Sequence, residues 1–102
     1  MQFGLSDNVI DEINSIFKKY PSISKVIVYG SRAKGNYRTG SDIDLVIFDA
    51  NNDYKLLAKL MNELDDLLLP YMIDLSFYDE IDNPNLKEHI DRIGIAFYEK
   101  IE

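Results

Sequence analysis

Cysteine is absent from this 102-residue chain. That removes disulfide frameworks, thiolate zinc sites and cysteine nucleophiles together. Long apolar runs are missing too: stretches such as Leu67-Leu68-Leu69 and Leu45-Val46-Ile47-Phe48 reach no more than four residues, far short of the roughly 20 that a helical membrane span needs. The N-terminal MQFGLSDNVIDEI offers no basic segment followed by an apolar stretch and a small-residue cleavage site, so the expectation is a cytoplasmic protein without membrane association. Histidine occurs once, at position 89. A lone imidazole between Leu86 and Ile93 reads as structural or solvent-facing rather than catalytic. Basic residues are also scarce, 11 Lys and Arg against 18 Asp and Glu, for a net charge of −7. A general nucleic-acid coat relies on Lys and Arg to neutralise phosphates, so no direct nucleic-acid binding is expected.

What is present suffices for one globular unit over residues 1–102. Hydrophobic residues make up 46% and charged residues 28%, near the average for folded domains and unlike a disordered chain. The few bases are not evenly spread. Residues 31–41, SRAKGNYRTGS, hold Arg32, Lys34 and Arg38 and no acid, a local +3 in a chain whose remaining 91 residues carry −10. Such an island suits one small anionic ligand, and it is equally what a solvated basic loop looks like.

Periodicity divides the chain into alternating elements. Val9, Ile10, Ile13, Ile16, Phe17 and Tyr20 recur at helical spacing behind a Ser6 cap, and Pro21 ends the helix. The β-branched run Lys25–Tyr29 reads as a buried strand that stops at Gly30-Ser31. A loop with a helical turn near its start follows over 31–41, then a strand over 42–48 and a polar turn over 49–53. The leucines from Leu56 to Leu68 form a second helical stripe that ends before Pro70. Residues 71–78 alternate, with Ile73, Leu75 and Phe77 on one face and Asp74 and Ser76 on the other. Asn83-Pro84 opens a last helix and Gly94 closes it. The segment from Ile95 to Ile101 suits either a short strand or an exposed apolar tail. The order predicts an α+β fold, a small mixed β-sheet backed by helices.

Three acids and one bend carry the chemistry. Asp42 and Asp44 stand at i and i+2 of an extended apolar segment, so both side chains leave the same face, with Cα atoms about 7 Å apart. Two like charges on a sheet are costly unless a cation or a set of donors compensates. Magnesium suits the purpose, because it takes oxygen ligands and keeps positions open for substrate phosphates. Asp74, 30 residues past Asp44, can join them from a neighbouring strand. Gly30 allows close backbone approach to a ligand, and backbone N–H groups there together with the Ser31 hydroxyl suit phosphate oxygens. Arg32, Lys34 and Arg38 would add positive charge against a polyphosphate. Tyr37, inside this loop, is placed either to stack on a base or to shield the loop.

Gly30-Ser31, Asp42-x-Asp44 and the later Asp74 resemble the signature of the polymerase-beta-type nucleotidyltransferase superfamily. VIVYGSRAKGNYRTGSDIDLVIF resembles more closely the minimal nucleotidyltransferases (MNT, the MntA-like antitoxins) encoded beside HEPN-domain toxins, and the ending HIDRIGIAFYE is similar to the same family. Lys34 departs from the family's usual arginine, keeping the charge but losing the planar fork. The resemblance implies the nucleotidyltransferase fold, ATP as substrate, two magnesium ions, and transfer of AMP onto a tyrosine of the HEPN ribonuclease. It assigns Asp42, Asp44 and Asp74 to the metals, and Asp74 also to deprotonation of the acceptor hydroxyl. Two other readings stay open: an antitoxin that silences its partner by stoichiometric binding, and a nucleotidyltransferase with a small-molecule acceptor.

Overall fold

A computed structural model describes residues 1–101. The elements in chain order are α1 (Asp7–Phe17), β1 (Ile23–Tyr29), α2 (Ser31–Lys34), β2 (Ile43–Asp49), α3 (Tyr54–Asp65), β3 (Ile73–Phe77), a 3-10 turn at Tyr78–Glu80, α4 (Pro84–Ile93) and β4 (Ile95–Glu99). The four strands form one mixed sheet in the order β3-β2-β1-β4. β1 is antiparallel to both β2 and β4, and β2 runs parallel to β3. This is the α+β arrangement that the residue pattern predicts. The 95–101 segment resolves in favour of a strand over 95–99, because the outer edge of β1 offers it backbone partners, with Lys25 opposite Glu99 and Val28 opposite Ile95. Among the described residues no helix is long and apolar enough to cross a membrane.

The caps follow from local chemistry. The Ser6 side chain accepts from Val9 N–H at the start of α1, and the Asn83 side chain accepts from the N–H groups of Asn85 and Leu86 ahead of Pro84 in α4. The helix α3 stops at Asp65, three residues short of the leucine stripe's end at Leu68. Pro70 disfavours helical geometry in the residue before it, and the chain leaves the helix through a turn in which Leu68 takes φ 55°.

Alternation then sorts the side chains between two faces. Ile43, Leu45 and Ile47 of β2, Val26 and Val28 of β1, and Leu75 and Phe77 of β3 point to one side. There they form the main core with Ile13, Ile16 and Phe17 of α1 and with Leu60 and Leu64 of α3. Tyr29 and Val46 face the other way, where Ile90 of α4 covers them in a smaller cluster that includes Ile27, Phe48 and Leu86. The two short contributions from β4 both serve the main core. A register shift opposite Val26 and Ile27 allows Phe97 and Tyr98 to pack on that side in succession. Asp44 lies on this second face beside Tyr29, and Asp74, its partner on β3, is exposed at the sheet edge.

Candidate functional site

Asp44 is the second residue of β2. Its parallel partner on β3 is Asp74, and its antiparallel partner on β1 is Tyr29. Adjacent strands hold facing Cα atoms about 4.8 Å apart, so the ladder alone brings Asp44 and Asp74 side by side on the sheet face turned away from the main core. Asp42 lies just before β2, exposed, two residues from Asp44 across the fully buried Ile43. Ile43 N–H donates to Met72 O at 2.8 Å, which ties the segment between the two acids to the entrance of β3.

The electrostatics record the crowding. Burial pushes the Asp44 carboxyl above its ordinary value, and the negative charges of Asp74 and Asp42 push it further. The charges of Arg32 and His89 act in the opposite sense. The Tyr29 phenol, in a ring only 9% exposed, is raised first by burial and then by Asp44 and Asp74, against a hydrogen bond with Ser76. His89 packs edge-on against the Tyr29 ring, centroid to centroid 6.3 Å. Sequence reasoning gave Tyr29, Ser76 and His89 no part in the site. Two of them had a signal: Tyr29 and Ser76 stand at the in-phase positions of strands whose faces alternate. His89 had none, because it reaches the site through the placement of α4.

Gly30 provides the second half of the site. Its backbone sits at φ 74°, ψ −151°, a region essentially closed to residues with a side chain. A Cβ built there would lie 2.5 Å from Asp44 Oδ2. The carboxylate of Asp44 therefore occupies space that any other residue would fill, directly against the peptide that leads into Ser31. The first helical turn begins at Ser31, where early N–H groups lack intrahelical acceptors. Lys34 ends this turn, exposed, and Gly35 follows with φ 88°.

The three bases of the loop divide. Lys34 and Arg38 are exposed. Arg32 is buried at 3% exposure. Its Nε and one terminal nitrogen donate to Ser41 O at 3.1 and 2.7 Å, and the other terminal nitrogen donates to Phe3 O at 2.8 Å. The rings of Tyr71 and Tyr37 flank the guanidinium at 4.8 and 5.5 Å. Arg32 thus fastens the loop to the N-terminal segment, and its charge reaches Asp44 through space. Tyr37 shields this arrangement by packing its ring against Gly4. A second loop clasp joins Arg38 N–H to Ser41 Oγ at 2.8 Å and Ser41 N–H to Arg38 O at 3.0 Å.

Among the described residues no three His, Asp or Glu side chains converge to hold a metal ion unaided. The donors are nonetheless oxygen only, they repel one another, and they face open space. That chemistry fits a hard divalent cation sharing its coordination with a bound phosphate better than it fits a closed cage.

Comparison with known proteins agrees with this geometry. Residues 11–102 match the family model described as polymerase beta, nucleotidyltransferase. A Methanocaldococcus jannaschii protein that carries the name putative protein adenylyltransferase is 32% identical over 90 residues, spanning 80% of this chain and 91% of that one. Among solved structures, a toxin-antitoxin with AMP-PNP superposes with a TM-score of 0.71 at 21% identity, over 94% of this chain and 75% of the other. An MNT antitoxin in complex with a tri-AMPylated Shewanella oneidensis HEPN toxin gives 0.69 at 16% identity, over 94% and 74%. At those identities the structural likeness speaks to the fold, which is the nucleotidyltransferase fold. With the acids of β2 and β3 in register and the family model covering them, this chain belongs to the polymerase-beta nucleotidyltransferase family and is itself a nucleotidyltransferase.

Proposed function

We propose that residues 1–102 act as one minimal nucleotidyltransferase domain that moves AMP from ATP to a tyrosine of a HEPN-domain toxin, in the role of antitoxin and in the cytoplasm. The observation that carries the reading is the register of Asp44 with Asp74 beside the Gly30-Ser31 bend. The name of the archaeal relative and the toxin-antitoxin context of the structural neighbours support a protein acceptor.

In this reading Asp42, Asp44 and Asp74 hold two magnesium ions. The ions supply positive charge for the triphosphate and for the charge that develops at phosphorus. The Ser31 hydroxyl and the N–H groups that follow Gly30 hold the terminal phosphate oxygens. Lys34 and Arg38, exposed on the loop, add charge against the polyphosphate. Arg32 serves the nucleotide indirectly, by holding the loop and by its field at Asp44. The acceptor's phenolic oxygen attacks the α-phosphorus in line. The bond from the α-phosphorus to the oxygen bridging to the β-phosphorus breaks, and pyrophosphate departs. Asp74, exposed at the sheet edge, takes the phenolic proton on its carboxylate.

The test is incubation with ATP labelled at the α-phosphate, magnesium and the HEPN-domain protein encoded by the neighbouring reading frame. Label is expected on that protein with the wild-type chain and not with the Asp42→Asn, Asp44→Asn double variant. Equal labelling by both would refute the site. Full neutralisation of the toxin in cells by the double variant would favour stoichiometric binding instead. Label only on small molecules would move the acceptor class.

A further inference from the structure

Beside the acids, at the edge of the sheet, lies an apolar groove whose charged lining residue is an acid, Asp65. Where α3 hands over to β3, Met61, Leu64, Leu69, Tyr71, Met72 and Ile73 line a groove of about 310 Å³. Met72 is 74% exposed, and Leu68, in the connection beside the groove, is 88% exposed. Leu68 also holds φ 55°, a left-handed conformation that costs a residue with a side chain about 1–2 kcal/mol. The left-handed backbone thus coincides with an apolar side chain that stands almost wholly exposed. Methionines suit such a surface, because they adapt to the shape of what covers them.

The groove and the acids lie on opposite faces of β3, with Ile73 packed toward the main core and Asp74 turned away from it, and the two meet at the strand's free edge. Ile73 precedes Asp74, and Met72 O accepts from Ile43 N–H between Asp42 and Asp44. Tyr71 lines both the groove and the hollow formed by Arg32, Arg38 and Gly40. β3 is moreover the outermost strand of the sheet. Between Leu60 and Leu86 the chain has seven acids and no lysine or arginine.

We infer that this groove and the β3 edge dock the acceptor protein, through a segment that presents apolar side chains amid basic residues and delivers its hydroxyl to Asp74. The inference rests on the protein-acceptor reading above and deepens it. Charge decides the occupant. A second copy would set acidic edge against acidic edge, and nucleic acid would meet the same repulsion. A cationic protein face is attracted. The two substrates are then sorted by sign, the polyphosphate to the basic loop at 31–41 and the protein to the acidic edge.

The experiment pairs Leu68→Lys with Met72→Lys, both at exposed positions where the fold has little at stake. Binding of the neighbouring HEPN-domain protein is measured by calorimetry without ATP, and label transfer is measured separately. The double variant should bind at least about tenfold more weakly, with an equal rise in the KM for the protein and no change in the KM for ATP. Asp65→Lys with Asp66→Lys should weaken binding severalfold and reduce its salt dependence. Unchanged binding and KM in the Leu68, Met72 variant would overturn the inference, as would a wild-type dimer that this variant dissolves while acceptor binding stays intact. Wild-type binding that the variant loses, in a protein that transfers no label, would uphold the groove and refute the transfer reaction. Absence of wild-type binding would overturn the groove itself.

Discussion

Replacing Gly30 by alanine separates two costs that usually travel together. The backbone at φ 74°, ψ −151° lies where a residue with a side chain pays about 1–3 kcal/mol. For a domain of this size that lowers the melting temperature by roughly 4–8 °C per kcal/mol. The added Cβ would also stand 2.5 Å from Asp44 Oδ2. That clash is cheap in stability, because the torsion of an aspartate carboxylate is soft. On the proposed mechanism it is expensive in function, because the oxygen that yields is one that the metals and substrate would need in place, and a displacement near 1 Å can cost about 10²-fold in rate. Gly35 and Gly40 provide the controls. Their φ values are 88° and 80°, and an added Cβ would find no atom within 4 Å. Gly35→Ala and Gly40→Ala should therefore melt earlier than wild type yet retain turnover per folded molecule. Gly30→Ala should melt earlier and lose about two orders of magnitude in turnover. Differential scanning calorimetry and labelled AMP transfer at a temperature where all three are folded measure both axes. If Gly30→Ala keeps wild-type turnover, the claim that Asp44 needs the space above this peptide is wrong.

Other consequences can be checked with single substitutions. Arg32→Lys keeps the charge but cannot bridge Ser41 O and Phe3 O, so a half-buried carbonyl loses its donor at a cost of about 1 kcal/mol. Trypsin should then cut at Arg38 faster than in the wild type, and an unchanged cleavage rate would count against the clasp. Glu63 accepts from Lys19 Nζ and Tyr20 hydroxyl, which holds its carboxyl below the ordinary value. A depressed carboxylate contributes stability above its unfolded pKa and loses it as pH falls through the folded one. Between pH 5 and 3 the wild type should therefore lose melting temperature more steeply than Glu63→Gln, measured by thermal melts across that range.

Much of this architecture is legible in the residues, and the omissions have physical causes. Alternation in 71–78 and 42–48 shows which side chains share a face, and the parallel pairing of β2 with β3, which alternation leaves open, sets Asp74 beside Asp44. The caps at Ser6 and Asn83 are local chemistry and could be read locally. The 95–101 segment stayed ambiguous because a strand at a sheet edge is defined by its partner, and β1 lies about 70 residues away in sequence. Arg32 looked like a phosphate ligand among its basic neighbours. Its carbonyl partners, Phe3 and Ser41, come together only once the sheet forms. The end of α3 was overrun for a similar reason: leucines favour helix, and the influence of Pro70 extends back along the chain.

The spacing of Asp44 and Asp74 is inherited from a parallel hydrogen-bond ladder, and a ladder has the same pitch whatever connects its rails. Residues 50–72 connect β2 to β3, and the main core takes Leu60 and Leu64 from them. A chain that grew there would acquire new surface for recognising a different client while the distance between the two paired carboxylates stayed as it was. Diversification of clientele and preservation of chemistry are, in this architecture, separately adjustable.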